Sequence, residues 1–110
     1  MITLLLILSV FSTRDIDSEK IIGTWQVEKV VYLDQQPVRA RDGENMQWQF
    51  TRDGFCHNLT HQSKTRYSIK GDQLNMDGYS NTIEKLNDQT LIIRENKQFF
   101  VRRIYFQKVN

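Results

Sequence analysis

Apolar side chains fall at every second position in short runs over most of the second half of the chain. Clusters of Asp, Asn, Gly and Lys break these runs. Period two is the signature of half-buried strands. Met46-Gln47-Trp48-Gln49-Phe50 alternates without error, which puts three large apolar groups on one face. Thr51-Arg52-Asp53-Gly54 then supplies an Asp-Gly hairpin turn. The next strand is predicted from Phe55 to about residue 62, with Phe55, His57, Leu59 and His61 sharing a face. Tyr67 and Ile69 mark a fourth strand and Leu74 and Met76 a fifth. A sixth covers about 79–86 around Ile83, and Leu91 and Ile93 mark a seventh. Lys70-Gly71-Asp72, Asp77-Gly78, Asn87-Asp88-Gln89 and Asn96-Lys97-Gln98 read as the turns between them. The last strand is predicted from Phe99 to about Val109.

Upstream, residues 24–33 are rich in β-branched and aromatic side chains and read as the first strand. Its alternation slips near Lys29-Val30-Val31, which predicts a bulge. Asp17 or Ser18 can cap a single helical turn before Gly23. Residues 37–44 read as a polar loop. The Gly23-Thr24-Trp25 step anchors the whole arrangement. Burying one indole of about 150–250 Å² at roughly 25 cal/mol per Å² contributes about 4–6 kcal/mol before entropy. The pattern therefore predicts an all-β fold of eight antiparallel strands in an up-and-down meander, with a short N-terminal helical turn. A flat meander of this size exposes two edges, and closure into a barrel removes them. The alternative is a partly open, two-layered sheet with a solid core.

Composition narrows the picture. A chain of 110 residues has room for one domain, placed at 20–109. Its net charge of +2 is spread over interspersed acids and bases, without the basic stripe of a nucleic-acid binder. Residues 1–12 are almost continuously apolar but well short of the roughly 20 residues of a membrane span. They read as the apolar region of a secretory signal with cleavage after Ser12, which predicts a periplasmic, envelope-associated or secreted protein. No Lys or Arg precedes this run, so either the start lies upstream or the signal is unusual. A buried terminal element is the competing reading. Cys56 is the sole cysteine, which excludes an intramolecular disulfide.

Five short motifs in order resemble the short bacterial lipocalin-like domains: Gly23/Trp25; Phe50/Asp53/Gly54; Tyr67/Ile69/Gly71; Ile83/Leu86 with Thr90/Leu91; and Tyr105-Phe106-Gln107-Lys108. The resemblance implies a lipocalin-type barrel over about 20–109. It also implies that a basic residue of the last strand lies across the first-strand Trp at the closed end. That residue is Lys108, with Arg102 or Arg103 as competing assignments, and Lys in place of Arg loses planar stacking. Gly23, Trp25 and Lys108 form this structural signature. With Lys108 inward, period two turns Phe100, Arg102, Ile104 and Phe106 inward as well. The outward set, Phe99, Val101, Arg103, Tyr105 and Gln107, is still rather apolar, which marks either a protein-contact surface or a register slip at a bulge.

An inward Arg102 needs an internal acid, water in an open cavity, or an anionic ligand group. The third solution defines a candidate ligand site, with Arg102 holding a carboxylate and Trp48, His57 and Tyr67 lining the pocket. His57 and His61 on one strand stand about 13 Å apart and cannot share a metal. The chain carries no nucleophile motif, phosphate loop or metal-ligand set. The expectation is thus a protein that is not an enzyme and uses no cofactor or metal. Two functions remain: a carrier or sensor for a small apolar, amphipathic or anionic ligand, or a solid-core module acting on a protein partner through its outer face. A cavity of several hundred Å³ favours the first.

Overall fold

The structure is a computed structural model that describes residues 16–35, 39–43, 45–98 and 100–109. The apolar run at 1–12, Pro37 and Phe99 lie outside the described residues. One 3-10 turn, Ser18–Ile21, opens the fold. The Asp17 carboxylate caps it by accepting from the Glu19 N–H. Nine strands follow among the described residues: β1 (Gly23–Tyr32), β2 (Arg39–Asp42), β3 (Gln47–Phe50), β4 (Phe55–Asn58), β5 (Ser63–Lys70), β6 (Gln73–Met76), β7 (Tyr79–Leu86), β8 (Thr90–Asn96) and β9 (Val101–Lys108).

β1 and β3 to β9 pair antiparallel in sequence order, and β9 returns to β1, closing an eight-stranded barrel. The closing seam is long. It runs from Trp25 opposite Lys108 to Tyr32 opposite Arg102. The predicted bulge is present one residue before the expected triplet. The register shifts between Val27 and Lys29, leaving Glu28 as the extra residue. This phase change keeps Trp25, Val27 and Val30 all buried, which strict alternation would not allow.

Two sequence expectations are corrected. The polar loop at 37–44 contains β2. β3 covers only Gly23 to Gln26 of β1, so the unpaired backbone of Lys29 to Tyr32 recruits Arg39–Asp42 as a ninth strand outside the barrel. Gly43, which follows β2, packs directly on β1. A Cβ added there would lie 1.7 Å from the Val27 carbonyl oxygen. The strand expected to reach about residue 62 ends instead at Asn58. The Asn58 side chain accepts from the N–H groups of Thr60 and His61, and Gln62 takes φ 56°. A local polar turn outcompetes the ladder there, and it leaves His61 exposed.

The turns predicted at Asp-Gly and Lys-Gly steps hold positive φ. Asp77 and Gly78 both do so (53° and 78°), as a two-residue hairpin with right-handed strand twist requires. The core fills one half of the barrel. Ile21, Trp25, Leu74, Ile83, Leu91 and Phe106 are completely buried there.

Candidate functional site

The closed end is built on Trp25. Its indole Nε1 donates to the Ile21 carbonyl at 2.8 Å, tying the 3-10 turn across the barrel base. Lys108 Nζ sits 4.6 Å from the Trp25 ring centroid and donates to the Ile22 carbonyl at 2.7 Å. Such a cation–π contact contributes about 0.5–2 kcal/mol. Burial pulls the Lys108 pKa below the usual lysine range, with Asp88 opposing that shift.

The opposite half is hollow. A cavity of about 300 Å³ has Trp48 and Cys56 among its walls. Asn81, Glu95 and Arg102 also line it, and Met76, Asp77, Tyr79 and Lys97 stand on the side of the β6–β7 and β8–β9 connections. Lys97 Nζ lies 5.0 Å from the Tyr79 ring and 5.6 Å from the Phe100 ring, so one cation links those two connections. A larger space of about 750 Å³ flanks the other side of the β6–β7 hairpin. It is an open groove, bounded by exposed Arg66, Ser68, Asn75 and Ser80. The two spaces share Thr65, Met76, Asp77 and Tyr79.

Arg102 points inward and is met by an internal acid, the first of the three solutions. Its Nε donates to Glu95 Oε1, and its guanidinium lies 5.0 Å from the Phe100 ring centroid. Glu95 is 5% exposed. Burial works against the Arg102 charge, but Glu95 and the neighbouring Tyr32 hydroxyl outweigh it and raise the pKa above the usual arginine range. On the outer face Arg103 forms a two-point contact with Glu84, its Nη2 donating to Oε2 at 3.1 Å. Lys29 lies 4.5 Å from the Tyr105 ring centroid. The apolar outward set of β9 is thus partly covered by its own neighbours.

Trp48 lines the cavity, with its ring centroid 5.1 Å from that of Phe106. Its indole Nε1 is buried without a hydrogen-bond partner. The other such side-chain atom among the described residues is Asn81 Oδ1, also on a cavity-lining residue. Asn81 Nδ2 donates to the Leu74 carbonyl at 3.3 Å, which fixes the oxygen as the free end of that amide. Leaving each group unsatisfied costs about 1–3 kcal/mol.

Tyr67 faces inward but lies away from this cavity. Its ring meets Phe50 edge-on at 5.1 Å and its hydroxyl donates to the Thr51 carbonyl at 2.8 Å, so its work is to brace the β3–β4 turn. The inward placement of His57 is corrected. Phe50 pairs with Cys56 across the β3–β4 hairpin, which turns Cys56 into the barrel and His57 out of it. Phe55, expected on the same face as His57, turns outward with it. It is held outside between Lys64 (4.5 Å) and Arg66 (5.1 Å), whose charges lie over its ring. Burial pushes the Cys56 thiol up to about 12, so it stays protonated and non-nucleophilic near neutral pH. No three His, Cys, Asp or Glu side chains cluster as a metal site among the described residues. No helix among them is long and apolar enough to cross a membrane.

The wall residues Asn81 and Glu95 were missed in the sequence although alternation points to both of them. Asn81 stands two residues before Ile83, and Glu95 two after Ile93. An inward polar residue beyond the last apolar one marks where a strand leaves the packed core.

An eight-stranded meander barrel, packed at one end and hollow at the other, is an architecture that can be filled by side chains or can enclose one small ligand. The model of a family described as a lipocalin-like domain matches residues 21–93. This chain belongs to that family. The match ends within β8, so Glu95, Arg102 and Lys108 take their roles from the structure. Among curated proteins, none matches the chain.

Proposed function

We propose that this domain binds and carries a small amphipathic molecule in the hollow half of its barrel, without transforming it, as part of an exported protein. The observation that carries this reading is the cavity of about 300 Å³ lined by Trp48, Asn81, Glu95 and Arg102. That volume stands at the lower end of the roughly 300–1,000 Å³ range of small-molecule sites. It favours the carrier over the solid-core module that short strands also suggested. Trp48, Cys56 and Met76 offer an apolar lining, and Asn81 and Glu95 a polar one, a combination that suits a molecule with a tail and a head.

The protonated Cys56 thiol argues for binding without covalent chemistry. Export rests on the apolar run at residues 1–12. The test is native mass spectrometry of the protein purified from its own host. The carrier reading expects an added small-molecule mass that is lost on unfolding. The bare chain mass throughout, from cells in every growth state sampled, would contradict it.

A further inference from the structure

We propose that the barrel cavity selects a neutral ligand carrying a carboxamide-type head, one that both accepts and donates a hydrogen bond, over a fatty-acid-type anion. The inference rests on the carrier reading and deepens it. The buried ionic groups of the cavity wall are already matched, while Lys64 and Asp77, which also line it, are exposed to solvent. Arg102 is paired with Glu95, and Lys97 is held against the rings of Tyr79 and Phe100. The buried side-chain atoms that lack a partner are neutral and complementary: one N–H on Trp48 and one amide oxygen on Asn81, on residues 9% and 4% exposed that line the same cavity.

A carboxylate can accept from the indole but has no proton for Asn81 Oδ1. An alkylammonium can donate to Asn81 but has no acceptor for the Trp48 N–H. An ester accepts and cannot donate. A primary or secondary amide, a lactam or a ureide supplies both functions from one planar group. Its apolar remainder has Trp48, Cys56 and Met76 to lie against. Sites whose buried polar groups must be matched discriminate strongly against analogues lacking the matching atom.

The test titrates the full chain with octanamide, octanoate, methyl octanoate and octylamine near neutral pH by isothermal calorimetry. These four probes share an alkyl tail and differ in the head. Octanamide is expected to bind about tenfold more tightly than the other three, the worth of roughly one well-formed hydrogen bond. Trp48→Phe and Asn81→Leu should each erase that margin. The wild-type series decides the question even where a variant does not fold. Octanoate binding most tightly, or equal affinity for all four heads, overturns the amide preference and leaves the carrier reading standing. No binding by any probe overturns both.

Discussion

The pairing of Arg102 with Glu95 can be tested as a thermodynamic cycle. The Glu95 side chain is 7% exposed and the Arg102 side chain 20%, so the carboxylate is the more deeply desolvated partner. Removing one member of a buried pair costs about 3–5 kcal/mol because the other charge is left uncompensated. Arg102→Leu should therefore destabilise the fold by about 3 kcal/mol, at the lower end because the cavity admits water. Glu95→Leu should cost less, about 2 kcal/mol, since the guanidinium keeps the Tyr32 hydroxyl and the Phe100 ring as neighbours. The double variant should return to within about 1 kcal/mol of the wild type, because apolar groups of similar volume replace a buried pair at little cost. The implied coupling energy is about 4 kcal/mol, read from urea unfolding curves near neutral pH with unchanged slope. If Arg102→Leu alone unfolds within about 0.5 kcal/mol of the wild type, the range of ordinary surface changes, Glu95 is not a desolvated carboxylate. The Arg102–Glu95 pair then leaves its charges open to the cavity.

Trp25→Ala should cost about 3–5 kcal/mol, since it empties the closed end and removes the bond to the Ile21 carbonyl; a near-wild-type melting temperature would refute the indole's anchoring role. Gly43→Ala should destabilise by more than about 2 kcal/mol, because its Cβ would meet the Val27 carbonyl oxygen at 1.7 Å; chemical denaturation measures it, and a neutral outcome would mean β2 does not pack there. Cys56 keeps its proton in the fold up to about 12 against an ordinary value of 9.0. Between these values the folded state holds a proton that the unfolded chain has lost, so stability falls as pH rises. Relative to Cys56→Ala, the wild type should lose up to about 1.4 kcal/mol per pH unit above pH 9 or so. Parallel pH profiles for the two proteins would show that the thiol is not buried as described.

Period-two alternation revealed the barrel because the inner positions in its packed half carry apolar side chains. It failed where a short polar segment decided the geometry. Asn58 bends its own backbone into a turn, so the strand through His57 stops early. The β3–β4 hairpin register, with Phe50 opposite Cys56, sets which face His57 takes, and alternation within the strand alone does not carry that register. β2 was invisible because Arg39–Asp42 has no apolar pattern and forms only to pair the open edge of β1. Of the candidate site residues, Trp48 and Arg102 meet at the cavity. Tyr67 braces a turn and His57 lies outside. The polar wall residues Asn81 and Glu95 drew no notice because inward polar groups break the pattern that reveals strands.

The two tryptophans allow the central claim to be tested in one spectrum. Trp25 Nε1 is bonded to Ile21 at the closed end, while Trp48 Nε1 is unpartnered beside the cavity. On adding octanamide to the ¹⁵N-labelled protein, the Trp48 indole resonance should move to saturation as it gains an acceptor, while the Trp25 resonance stays in place. A Trp48 signal that holds still at saturating ligand, or a shift confined to Trp25, would contradict the assignment of the hollow half as the binding site.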